Sequence, residues 1–294
     1  MAGVSLCFYG GVEGEVGGNQ ILLQDGETRI LLDFGHNYSL WREYFSFPIS
    51  MPRSLSDYYQ VGLLPKELKG EQDRISAGIE ACLISHAHTD HWRAISGLES
   101  IDAGGPQIHA GETACRIIQN RGERLRGFES ISHHRLSSFR SQKRFSVGAV
   151  EVLPFHVDHS IPGAYAFLVH TSQGLIVYTG DLRLHGSYSR KLRSQFWRAI
   201  GDEPVEALIC EGTNAGELNV PLTEKDVQRL GQRCVKGSKG LVLVNLSPLD
   251  VDRLRTFHQV SETCNRRLVA TESFMDYLRI MSEEKVLEIP DVEK

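Results

Sequence analysis

The sequence predicts an α/β fold, and three observations carry the prediction. Short apolar runs of strand length alternate with stretches of helical spacing along most of the chain. The densest polar cluster, Ser85-His86-Ala87-His88-Thr89-Asp90-His91, follows directly on one such run, residues 81–84. It therefore sits at the C-terminal end of a strand, where open α/β sheets place their ligands. Two later runs also end in chemistry-bearing residues, His159 and Asp181.

Taken in order, residues 4–9 alternate as a strand does. The glycine-rich stretch 10–19 reads as a turn; no Lys-Ser/Thr follows it, so it is not a Walker phosphate loop. Residues 20–23 and 28–32 form a hairpin through Asp25-Gly26, and the second strand ends in Asp33-Phe34-Gly35. The connection 36–75 is long and aromatic, with Tyr38, Trp41, Tyr44, Phe45, Phe47, Tyr58 and Tyr59. Its rings suit either base stacking beside a site or a small satellite core.

The 85–91 cluster holds three imidazoles and a carboxylate within six residues, the donors that zinc and similar borderline metals prefer. On a turn, His86, His88, Asp90 and His91 can fan around two ions. Residues 92–98 continue with helical spacing, 107–110 form a strand, and a helix runs from 111 to about 120. The Arg-, Ser- and His-rich segment 121–145 reads as a solvated connector. Further strands follow at 147–155, 165–170, 175–178 and 207–210, the last ending in Glu211. The remainder reads as helix 222–234 with Thr223 as N-cap, strand 240–246, helix 251–260, strand 267–271 and helix 273–281. That order is a Rossmann-like half.

The totals set outer bounds. The 294 residues suffice for one large domain or two smaller ones, and 41% hydrophobic with 23% charged residues is ordinary for a soluble globular chain. No apolar run reaches membrane-span length, and the N-terminus lacks a signal-type core. The six scattered cysteines contain no Cys-x-x-Cys pair, which points to free thiols in a reducing cytoplasm. A net charge of −5 argues against a basic nucleic-acid coat. It does not exclude a nuclease, because bound metal ions add positive charge where a phosphate sits.

The His-x-His-x-Asp-His run resembles the signature of the metallo-β-lactamase superfamily. Asp33, the 86–91 cluster, His159 and Asp181 match that family's first four motifs in order, over about residues 1–215. The resemblance implies an αββα sandwich and two divalent metal ions, zinc first and manganese second. It assigns His86, His88 and His159 to one ion, Asp90 and His91 to the other, and Asp181 to the bridge. Asp33 would lie beneath the ions and orient their ligands, and Asp90 would take a proton from the attacking water.

Glu211-Gly212-Thr213, His159-Ser160-Ile161-Pro162 and Thr179-Gly180-Asp181-Leu182-Arg183 look like the β-CASP branch, especially ribonuclease J. That implies a metal-dependent ribonuclease acting on single-stranded RNA, with a Rossmann-like β-CASP segment over 216–294. The branch's later histidine motifs have no counterpart, since no histidine follows His258, so the chain reads as a fragment. Glu211, Ser247, His156 and His185 are candidate substrate contacts. Ser247 is either a phosphate-binding helix start or an ordinary N-cap. The rival readings are a small-molecule hydrolase for a lactone, thioester or phosphate ester, and a catalytically weak nucleic-acid-binding fragment. No membrane partner is expected, and a homodimer stays open.

Overall fold

The computed structural model describes residues 3–282 except 13, 15, 76, 77, 132, 133, 135 and 217–221. Parts of the expected β-CASP segment, 217–221 and 283–294, lie outside the described residues. Strands β1 (Val4–Gly10), β2 (Gln20–Asp25) and β3 (Thr28–Phe34) form an antiparallel meander. Helices α1 (Tyr38–Tyr44) and α2 (Leu55–Val61) follow in the long connection. Strand β4 (Ala81–Ile84), helix α3 (Thr89–Trp92), strand β5 (Gln107–Gly111), helix α4 (Glu112–Gly122) and strand β6 (Leu136–Phe139) continue the first sheet, now with parallel pairings. Strands β7 (Phe145–Val147), β8 (Val150–His156), β9 (Tyr165–Thr171) and β10 (Gly174–Tyr178) make an antiparallel second sheet. Helix α5 (Ser189–Ile200) then leads to β11 (Val205–Ile209), which pairs parallel to β10 at the edge.

The strict period of two along the strands fixes which layer each side chain joins. Ile21, Leu23, Ile30, Leu32 and Leu83 point inward and meet Val150, Val152, Phe167, Val169 and Ile176 of the second sheet. Their neighbours Leu22, Leu31, Cys82 and Ile84 point outward, under Ala114, Ile117 and Ile118 of α4. On the other side Leu153, Phe155, Leu168 and Val177 pack under Phe196 and Ile200 of α5. Each fully buried Leu or Ile contributes roughly 1.5–3 kcal/mol by leaving water. Two sheets face to face with helices outside make the αββα sandwich.

The long aromatic connection divides between its two readings. Phe45, Tyr58 and Tyr59 are buried with Leu55, Leu63, Leu64 and Leu68 as part of the core. Phe47 is 82% exposed and Tyr44 48%. In the 121–145 segment β6 adds a strand the polar composition hid, and α5 was not foreseen.

The C-terminal part departs from the Rossmann-like expectation. Helices α6 (Glu224–Gly237), α7 (Val251–Thr263) and α8 (Glu272–Met281) are present, and Thr223 caps α6 with Asp226 closing a capping box. The expected strands 240–246 and 267–271 are not strands. Neither segment has a ladder partner among the described residues, and Leu241, Leu243 and Val269 lie 80–85% exposed. A strand needs a neighbour to satisfy its backbone, whatever its composition. Helices α7 and α8 instead bury Val251, Leu254, Tyr277, Leu278 and Met281 in the hydrophobic cluster outside the first sheet, where α8 meets α4. No helix of the described residues is long and apolar enough to cross a membrane.

Candidate metal centre

The C-terminal ends of β3, β4, β8 and β10 converge on one point. Two groups of three ligand atoms lie there, each within 4.8 Å of one another: His86, His88 and His159, and His86, His91 and Asp181. His88 Nδ1 stands 3.0 Å from His86 Nε2 and 3.1 Å from His159 Nε2. Asp181 Oδ2 lies between the groups, 3.4 Å from His91 Nε2, 3.8 Å from His159 Nε2 and 3.9 Å from His86 Nε2. Asp90 Oδ2 is 3.8 Å from His91 Nε2 on the far side. All six residues assigned to metal by resemblance are therefore neighbours in space.

Asp33 organises the layer beneath. It is fully buried at a positive φ of 55° and accepts four hydrogen bonds. The donors are Ser85 N at 2.6 Å, Ser85 Oγ at 2.7 Å, His91 Nδ1 at 2.7 Å and the Tyr178 hydroxyl. Because an ionised carboxylate only accepts, the single proton of Ser85 Oγ goes to Asp33. Ser85 Oγ then accepts from His86 Nδ1–H at 3.0 Å. His86 Nε2 is left presenting its lone pair to the centre, and His91 Nε2, aimed at the same point, would do so once a cation displaces its proton. His91 Nε2 is buried without a hydrogen-bond partner. A cluster of converging imidazole nitrogens with one orphaned nitrogen is costly unless an ion occupies it, so the donor set fits divalent metal.

The electrostatics agree. Burial, then the neighbouring imidazoles, hold His86 well below its ordinary pKa and His88 at about 3; burial holds His159 at about 4. All three are neutral, the ligating form. Burial would raise Asp181, but proximity to His91 and the other imidazoles outweighs it and keeps the carboxyl at about 2. Burial likewise works against a charged His91, but Asp33 and Asp181 raise its pKa well above 6.5. Burial raises Asp90.

These shifts set a pH dependence for the metal-free chain. Unfolded imidazoles titrate near 6.5, whereas His36 and His88 hold off protons to about 3 and His159 to about 4. In that window the unfolded chain binds more protons, so stability falls as pH drops from about 6.5 towards 4, by about 1.4 kcal/mol per pH unit for each such histidine. His91 leaves this slope unchanged, since its stabilisation is full below 6.5 and is lost only as pH rises through its raised folded value. The urea midpoint of chelator-treated protein should be lower at pH 5 than at pH 7; a midpoint that rises on acidification would contradict the neutral cluster.

The glycine-rich stretch 10–19 has a role its composition did not disclose. A Cβ on Gly17 would lie 2.2 Å from Asp90 Oδ2, and one on Gly35 would lie 1.5 Å from Asp90 O. Gly18 N donates to Asp90 O at 3.0 Å. The stretch wraps Asp90 at a distance only glycine permits. Ser85 and Tyr178 also went unassigned in the sequence, because a serine before a histidine and a tyrosine in an apolar strand carry no local signal.

The four candidate substrate contacts are not part of the cluster. His156 is buried at the end of β8 with Nε2 3.1 Å from the Tyr165 hydroxyl. His185 is half-buried on the loop after Asp181. Glu211 follows β11 and accepts from Thr213 N at 2.9 Å. Ser247 is corrected: it is neither a helix start nor an N-cap. Asp250 caps α7, accepting from Arg253 N at 3.1 Å, and Asp252 adds a second carboxylate to the first turn.

No family model matches the chain. Among curated proteins, ribonuclease J of Sinorhizobium meliloti is 30% identical over 200 residues, covering 67% of this chain and 34% of its own length. Ribonuclease J of Mycolicibacterium smegmatis is 28% identical over 212 residues, 71% of this chain and 36% of its own. That of Helicobacter pylori is 24% identical over 280 residues, 94% and 37%. The chain thus spans about a third of the length of the curated relatives it matches. A protein of unknown function from Enterococcus faecalis V583 shares the fold, with a TM-score of 0.67 at 20% identity over 98% of this chain and 69% of that one. The chain is therefore similar to ribonuclease J, with motifs that resemble the metallo-β-lactamase signature clustered on the strand ends of an αββα sandwich.

Proposed function

We propose that this chain carries the catalytic metal centre of a ribonuclease that hydrolyses phosphodiester bonds in single-stranded RNA. The observation that carries the proposal is the pair of ligand groups sharing His86, with Asp181 between them. Similarity to proteins named ribonuclease J supplies the substrate class. His86, His88 and His159 would hold one divalent ion, Asp90 and His91 the other, and Asp181 would touch both. Zinc suits the imidazole-rich donors, with manganese as the alternative. Two such ions, when bound, clamp the phosphate, lower the pKa of a water towards ~7 and stabilise the leaving oxygen.

The chain's own residues do the rest. Asp33 and Ser85 lock the tautomers of His91 and His86. Asp90, its carboxyl raised by burial, stands ready to accept the proton of the attacking water. We keep the division into a metallo-β-lactamase domain, 1–215, and a partial β-CASP-like domain, 216–294, as part of the proposal. The six unpaired cysteines support a reducing cytoplasm as its compartment.

A substrate panel tests the reading. Metal-reloaded protein is offered single-stranded RNA, single-stranded DNA, a lactone and a thioester, each with and without chelator. Chelator-sensitive cleavage of RNA is expected. Turnover of the thioester or lactone alone would replace the ribonuclease by the small-molecule hydrolase.

A further inference from the structure

Two of the loops that deliver ligands are joined by a buried ion network. Asp158 immediately precedes His159, and Arg183 lies two residues after Asp181. Arg183 Nε donates to Asp158 Oδ1 at 2.9 Å, and Arg183 N donates to Asp158 O at 2.7 Å. The other arm of the guanidinium, Nη2, donates to Asp252 Oδ2 on α7. The side chains of Arg183, Asp158 and Asp252 are only 13, 4 and 5% exposed. Both carboxylates have further partners, with Asp252 Oδ1 lying 3.7 Å from Arg255 Nη1. Asp158 Oδ2 accepts Ser189 Oγ at 2.6 Å and Tyr188 N at 3.1 Å, and Asp252 Oδ2 accepts Ser187 N at 3.1 Å. A Cβ on Gly186 would stand 2.4 Å from Arg183 Nε, so the loop closes tightly over the network.

Two buried carboxylates are expensive unless fully hydrogen-bonded. Here the arrangement ties the His159 loop, the Asp181 loop and α7 to one planar group. We infer that Arg183 is a positioning residue: its two-ended guanidinium sets the separation of His159 and Asp181 and makes α7 part of the metal centre's support. The inference rests on the metal-centre reading above. It requires the fork of arginine. A lysine ammonium keeps the charge but has no pair of nitrogens to hold two carboxylates in a fixed geometry.

The test measures zinc affinity by competition with a chromophoric chelator, alongside the melting temperature of the zinc-free protein. The variants are Arg183→Lys, Arg183→Gln and Asp252→Asn. The control is Asp25→Asn, which breaks a buried carboxylate accepting Ser172 N at 2.6 Å and Ser172 Oγ, at the end of the first sheet opposite Asp33. The Arg183 variants should weaken zinc binding ~10–100-fold, the range for residues that orient ligands. Asp25→Asn should lower the melting temperature and leave zinc affinity unchanged. If Arg183→Lys does not fold, Asp252→Asn reads the same network from the helix side. Wild-type zinc affinity in Arg183→Lys, or in Asp252→Asn should that be the variant read, overturns the inference, as does an equal loss in Asp25→Asn. Failure of the wild-type chain to take up zinc overturns the metal-centre reading and this inference with it. Zinc uptake without RNA cleavage overturns only the ribonuclease reading.

Discussion

Asp181→Asn is expected to reduce cleavage by about a thousand-fold or more, and to leave the protein with less than its full metal complement. Asp181 Oδ2 is the only carboxylate oxygen within 4 Å of three of the cluster's imidazoles among the described residues. Its carboxyl is held ionised down to about 2. An amide keeps the shape and loses the charge that offsets the repulsion between two cations. His156→Ala and His185→Ala provide the contrast. His156 Nε2 stands 3.1 Å from the Tyr165 hydroxyl, and His185 lies on the loop after Asp181. Their loss should cost ~10–100-fold at most. Metal content and RNA cleavage rate are measured for the three variants, with circular dichroism to check folding. An Asp181→Asn protein with both metals and a near-normal rate would remove Asp181 from the bridge.

Asp33→Asn should be the most destabilising single change at the site, by about 3–5 kcal/mol, the range for breaking a buried charged network. Its positive φ is tolerated by asparagine, so backbone strain is unchanged and the effect isolates the carboxylate. Four donors point at two oxygens. An amide offers one oxygen and turns the other position into a donor, so buried donors face each other. His91 loses the acceptor that fixes its tautomer, and His86 loses the chain through Ser85 that fixes its own. Urea denaturation of the metal-free variant checks the stability, and zinc titration checks the ligand geometry. A loss below about 1 kcal/mol would show that Asp33 is a turn residue and not the organiser of the site.

The sequence by itself determined the parts whose information is local. Short apolar runs of strand length, with the Asp25-Gly26 turn between two of them, placed β2, β3, β8, β9 and β10, because strands covered on both faces read as continuous apolar segments. The metal cluster was legible because four of its six members fall within residues 86–91 and the other two end apolar runs. Tertiary structure decided what depends on partners distant in the chain. Gly17 and Gly18 hold Asp90 only because their loop and the 85–91 turn meet. Arg183 links Asp158 to Asp252 across 25 and 69 residues of chain. The apolar segments 240–246 and 267–271 have strand composition without strand structure, and Ser247 lost its cap to Asp250. The physical reason is the same in each case. A helix satisfies its backbone within its own segment, so pattern announced α4, α6, α7 and α8, although α5 went unread. A strand, a ligand cage and a buried ion pair are completed by groups elsewhere in the chain, and only the fold brings those groups to them.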